Sequence, residues 1–166
     1  MSNCIAQVCS GALLAFALLF SHGNHAAAEG VKPPVAASGV IAIKSAYDVA
    51  GTVDRLKKDI AAKGIMFFQE IDQAQLASKA GIELRPSVLL IFGNPPLGTQ
   101  FIEANANAGL DWPVRLLVLQ DDSGAVWTAY TDFSWIAGRH GIKNRQAQFK
   151  MASEVIASIT SSVKSK

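Results

Sequence analysis

The residues best placed to do chemistry stand in "FGNPPLGT", where Gly93 and Gly98 bracket four residues and Thr99 follows. This is nearly the spacing of a phosphate-binding P-loop, G-x-x-x-x-G-K-[ST]. There, backbone N–H groups cradle the phosphates and a lysine neutralises them. Here Thr99 holds the lysine position, and Pro95 and Pro96 remove two of the four interior donors. Both changes speak against nucleotide binding. The stretch is instead expected to be a stiff turn, in which Asn94 satisfies nearby backbone groups and Gly98 relieves the bend. Thr99 would then cap a following helix, whose start can still hold a carboxylate or another anion.

Six charged residues lie among apolar neighbours: Asp72, Arg85, Asp111, Arg115, Asp132 and Arg139. A buried unpaired charge costs several kcal/mol, so burial would require partners or a solvated cleft. One reading pairs the acids with the arginines in a network that ties strand ends to loops. The other makes Arg85, Asn94, Thr99 and Arg115 a cleft for a small acidic molecule, with Tyr130 and Asp132 on its rim. His140 follows Arg139 near the end of a short helix and beside Gly141, where an exposed ring is expected. As a general base it would need Asp132 or Asp72 to orient it. No G-x-S-x-G nucleophile elbow occurs in the chain. No catalytic, metal or cofactor-binding residue is assigned, and no cofactor is expected.

The chain has 166 residues, 50% of them hydrophobic and 17% charged, with a net charge of +2. So small an excess, without a Lys/Arg block, gives no reason to expect nucleic acid or anionic lipid as a partner. Residues 1–28 read as a signal peptide. Ile5 to Phe20 is largely apolar, its dense part shorter than the roughly twenty residues a bilayer span needs. Ala26, Ala27 and Ala28 then supply small residues for cleavage. The expected location is therefore periplasmic or secreted, without stable membrane insertion after cleavage. The absence of Lys and Arg before Lys32 keeps a retained N-terminal membrane anchor as the alternative.

Cleavage would also remove Cys4, Cys9, His22 and His25, leaving a domain with no cysteine and one histidine, His140. Such a domain relies on its core rather than disulfides, and it lacks thiolate chemistry and Cys-type zinc sites.

Residues 29–38 read as an extended linker stiffened by Pro33 and Pro34, and 39–166 as a single domain. The patterning predicts a strand from Gly39, a helix over Val49–Lys63 capped by Asp48 with Val49, Val53, Leu56 and Ile60 in one stripe, and a strand over Ile65–Ile71. A short helix over Gln73–Lys79 follows. "RPSVLLIF" reads as a strand buried on both faces, and Thr99–Ala108 as a helix. "PVRLLVLQ" and "AVWTAYTDF" flank Asp121-Asp122-Ser123-Gly124 as a hairpin, with Trp127 and Tyr130 on opposite faces. A helical turn over Ser134–Arg139 precedes a last helix from near Asn144, carrying Ala152, Val155, Ile156, Ile159 and Val163 on one face. The fold class is α+β: a single mixed sheet of about five strands, with helices on one face or both.

The stretch "ELRPSVLLIFGNPPLGTQFIEANANAGLDWPVRLLVLQDDSGAVWTAYTD" resembles the signature region of the family called domain of unknown function 302. The likeness lies in a Leu-Arg-Pro strand, Phe-Gly-Asn-Pro-x-x-Gly-Thr, Leu-Asp-x-Pro-x-Arg, an acidic-Gly turn and a Tyr-x-Asp strand end. It runs from Gly39 to the last helix. It implies a TT1751-like α+β domain, often a homodimer, with no established activity. Many members are similar in having Asp-His after the second strand, where this chain has Asp72-Gln73. The expected function is a module that binds a small ligand or a partner protein. The alternatives are a hydrolase or isomerase using His140 with an aspartate, and a purely structural or interaction protein without a pocket.

Overall fold

A computed structural model describes residues 38–164. The signal peptide and nearly all of the linker read from the sequence lie outside the described residues.

The chain enters β1 (Val40–Lys44) and then turns at Asp48, whose carboxylate accepts from Gly51 N at 2.7 Å and starts α1 (Val49–Ala62). Of the expected stripe, Val53, Leu56 and Ile60 are buried and Val49 is partly so. Gly64, at φ 65°, turns the chain out of the helix into β2 (Met66–Asp72), in a backbone region that side chains other than glycine disfavour. Asp72 caps α2 (Gln73–Lys79), accepting from Gln75 N at 2.8 Å. Next come β3 (Ser87–Gly93), α3 (Pro95–Ala104) and a 3-10 turn (Ala106–Leu110). The strands β4 (Val114–Gln120) and β5 (Val126–Thr131) form a hairpin, followed by α4 (Phe133–Arg139) and α5 (Gln146–Ser161).

At the hairpin tip the Asp121 carboxylate accepts from the backbone of Ser123 and Ala125, from the Ser123 hydroxyl, and from the Trp127 indole at 2.7 Å. Those donors, the Ser123 hydroxyl foremost and the Trp127 N–H next, hold its pKa down at about 2.

The five strands form one sheet in the order β1-β5-β4-β3-β2. The α+β class and the strand number agree with the expectation, but the sheet is antiparallel at every pairing rather than mixed. Interleaved helices suggest parallel crossovers. Here α2 instead returns the chain beside the strand it has just left.

One sheet face carries Ile41, Tyr130, Leu116 and Leu90, aligned across four strands and all buried. Leu56 and Ile60 of α1, and Ile156 and Ile159 of α5, join them in the core. Burial of each such aliphatic side chain contributes about 1.5–3 kcal/mol.

The opposite face presents a row running straight across the sheet: Ala42, Ala129, Leu117, Leu89 and Ile71. None of these is buried, and neither are Trp127, Leu119 and Ile91 around them. The two-faced burial expected of β3 is thus found on one face only, because the described helices gather on the other. An unbroken apolar run reports the chemistry of a strand, not what covers it.

Candidate ligand cavity

Where β3 ends and α3 begins, the sequence makes a seat for an aromatic ring. Pro95 and Pro96 occupy the first turn of α3, where N–H groups have no helical partner and proline costs no hydrogen bond. The helix therefore starts earlier than Thr99. Its cap is Asn94, whose Oδ1 accepts from Leu97 N at 3.3 Å. Thr99 lies inside the helix and donates its hydroxyl to Pro95 O at 2.7 Å, so the expected Thr99 cap is corrected.

Gly93 and Gly98 are both buried against the indole of Trp112. A Cβ on Gly98 would stand 1.8 Å from Trp112 Cε2, and one on Gly93 2.6 Å from Cη2. The glycine spacing that resembles a phosphate cradle thus makes room for a tryptophan. Phe101 meets the same indole edge-on at 6.5 Å and stacks on Phe149 at 4.2 Å.

Trp112 forms part of the wall of a cavity of about 380 Å³. Phe92 and Val114 approach it from the sheet, Leu97 from α3, Phe133 from α4, and Met151, Val155 and Ile156 from α5. Polar groups are few: Asn94, Ser158, Lys63, which pairs with Asp59 at 2.7 Å, and Glu154, which pairs with Lys150. An apolar cleft of this size with a few polar groups is what a small-molecule site requires.

A second feature lies next to it in sequence. The Asp111 side chain is 4% exposed and gathers three donors. Its Oδ1 accepts from Arg115 Nη2 at 3.0 Å, and both oxygens accept from Arg139 Nη1, at 3.2 and 3.1 Å. Its Oδ2 lies 2.7 Å from His140 Nε2. Arg115 also donates to Leu110 O at 2.7 Å, and Asn105 Nδ2 to His140 O at 2.8 Å. This knot ties the 3-10 turn, the start of β4 and the end of α4 into one unit.

Of the candidate residues read from the sequence, the structure brings Arg115 and His140 together at Asp111 and puts Asn94 on the cavity. The remaining four do not converge. Arg85 pairs with Asp122 in an exposed ion pair. Tyr130 is a core residue, its pKa raised to about 12 by burial and then by the charge of Asp132. Asp132 caps α4, accepting from Trp135 N and the Ser134 hydroxyl, and is 1% exposed. The His140 ring, expected at the surface, is enclosed at 5% exposure. Its carboxylate neighbour is Asp111, not the expected Asp132 or Asp72, both of which cap helices. Trp112, Leu97 and Val155 were not among the candidate site residues, because an apolar side chain gives no sign of facing a void rather than the core.

Three comparisons bear on identity. The family model for domain of unknown function DUF302 matches residues 41–164. Two curated relatives are fluoride-specific ion channels of Brucella suis and Brucella abortus, each 37% identical over 113 residues covering 66% of this chain. The matched segment spans 44% and 42% of those proteins, less than half of their length. No helix among the described residues is long and apolar enough to cross a membrane. The crystal structure of an uncharacterised conserved DUF302 protein from Bacillus stearothermophilus superposes with a TM-score of 0.70 at 16% identity, covering 77% of this chain and all of that one. That likeness carries the fold. With the family model spanning nearly the whole described region, this chain belongs to the DUF302 family of domains of unknown function.

Proposed function

We propose that this chain is an exported binding module that holds a small, largely apolar molecule in the cavity beside Trp112. The carrying observation is the open-mouthed cavity of about 380 Å³ walled mainly by aromatic and aliphatic side chains. An acidic ligand, the class suggested by the arginines, has less support. Arg85, Arg115 and Arg139 all hold carboxylates elsewhere. Binding rather than turnover is favoured because Asp111 and His140, the pair best suited to acid–base work, are outside the cavity lining and engaged with each other.

The test is titration with the neutral fluorophore 1-aminoanthracene. Saturable binding of one molecule per chain is expected. Val155→Trp, which fills the cavity from α5, should weaken it about tenfold, or ~1.4 kcal/mol. Absence of saturable binding, or binding indifferent to Val155→Trp, would refute the reading.

A homodimer belongs to the same proposal, supported by the partly exposed apolar sheet face that the described helices leave uncovered. Exposed apolar areas of this kind mark interaction sites, and two sheets stack about 10 Å apart when their faces interdigitate. In the central row the small Ala42 and Ala129 lie on one side of Leu117, and the larger Leu89 and Ile71 on the other. A two-fold axis along β4 would therefore set small residues against large ones. Light scattering at micromolar concentration should give twice the chain mass, and Leu117→Asp should halve it. A monomeric parent protein would remove the dimer.

A further inference from the structure

The strongest unexplained feature is the knot at Asp111. A carboxylate with so little exposure, meeting two guanidinium groups and an imidazole, is costly to assemble, and neither Asp111 nor His140 touches the cavity. Yet Asp111 directly precedes Trp112, which does. Trp112 leads through a cis bond to Pro113 into Val114, another residue of the cavity wall.

The indole rests on the backbone at Gly93 and Gly98 and against the edge of Phe101. Those contacts resist motion of the ring toward α3. They act on the ring and only indirectly on the main chain from which it projects. That chain is held from the other side: Asp111 N donates to Ala108 O, and the Asp111 carboxylate is gripped from α4 by Arg139 and His140 and from β4 by Arg115. Two of these elements reach the cavity themselves, α4 through Phe133 and β4 through Val114.

We propose that His140, Arg139 and Arg115 act through Asp111 as positioning residues that set Trp112 as the fixed wall of the ligand site. Charge-assisted bonds suit this task, because their narrow geometry holds the orientation of the chain where apolar contacts would let it slide. The enclosure of the His140 ring then follows from its role as a strut. The proposal rests on the cavity being the ligand site, but its first readout does not.

The experiment uses the Trp127→Phe, Trp135→Phe background, which leaves Trp112 as the sole tryptophan of the three in the chain. His140→Ala should shift Trp112 emission to the red and raise its acrylamide quenching about twofold, with far-UV circular dichroism unchanged. It should also weaken 1-aminoanthracene binding about fivefold. His140→Gln, whose amide N–H can reach Asp111, should recover most of both. If His140→Ala does not fold, Arg115→Met, at a half-exposed position, carries the same expectation in smaller measure. The proposal is overturned if these variants lower the urea midpoint but leave emission, quenching and affinity as in the background protein. It is equally overturned if His140→Gln behaves like His140→Ala. A background protein that binds no fluorophore would retire the cavity as ligand site, while emission and quenching would still decide the positioning.

Discussion

Gly98→Ala lowers the urea midpoint and closes the cavity, although the substitution improves helix propensity. Gly98 lies inside α3, where alanine gains about 1 kcal/mol over glycine. Against that stands a contact of 1.8 Å between the new Cβ and the six-membered ring of Trp112. The obstacle is a rigid indole pressed between two backbone segments, so relief requires the whole ring to move. Overpacking of this kind costs about 1–3 kcal/mol, and loss of an aromatic side chain's contacts about 3–5. The net expectation is a loss of about 2–3 kcal/mol, with the displaced ring blocking the fluorophore. A double-mutant cycle identifies the cause. In a Trp112→Ala background, Gly98→Ala should become neutral or stabilising by up to about 1 kcal/mol. Equal cost in both backgrounds would mean that the indole is not what the glycine accommodates.

Asp111→Ala is the second large loss. Removing one partner of a fully enclosed ion pair costs about 3–5 kcal/mol. Here the two arginines keep much of their hydration, with side chains 50% and 44% exposed, while His140 at 5% has little access to water as a substitute. The expected cost is therefore smaller, about 2–3 kcal/mol, most of it from the enclosed imidazole and from Arg139 losing its anchor. Asp111→Asn keeps shape and one acceptor and should cost about half as much. Arg85→Ala is the control. It breaks an ion pair whose side chains are 57% and 86% exposed, and should change stability by less than about 0.5 kcal/mol. Comparable losses at Arg85 and Asp111 in chemical denaturation would show that the enclosure of the knot does not matter.

Much of the local structure was legible in the chain. The Asp48 cap, the Val53-Leu56-Ile60 stripe, the Asp121 to Gly124 turn and the buried face of α5 all follow from periodicity and turn chemistry within a few residues. The opposite placement of Trp127 and Tyr130 followed from the strand period alone: Tyr130 is buried and Trp127 only partly so. The candidate site was read less well. Polarity drew attention to Arg85, Thr99 and Asp132, but Thr99 and Asp132 bond within their own helix turn and Arg85 pairs with Asp122. The start of α3 was misplaced because two prolines read as a rigid loop, when the first helical turn accepts them without loss.

The sequence by itself determined the family, the α+β class and the shortage of thiol and imidazole groups in the predicted mature domain, since each depends on residue types and near-neighbour order. It also spoke against a phosphate cradle at the glycine pair, because two prolines remove backbone donors and the lysine is missing. Only the tertiary structure decided what the pair is for. Trp112 is distant from Gly93 and Gly98 along the chain, and the absence of a Cβ acquires meaning only against the atoms that would collide with it. The same holds for Asp111 and His140, which meet across 29 positions, and for the sheet face that the described helices leave uncovered. Periodicity says which side of a strand is apolar. Whether anything covers that side depends on where the other elements pack.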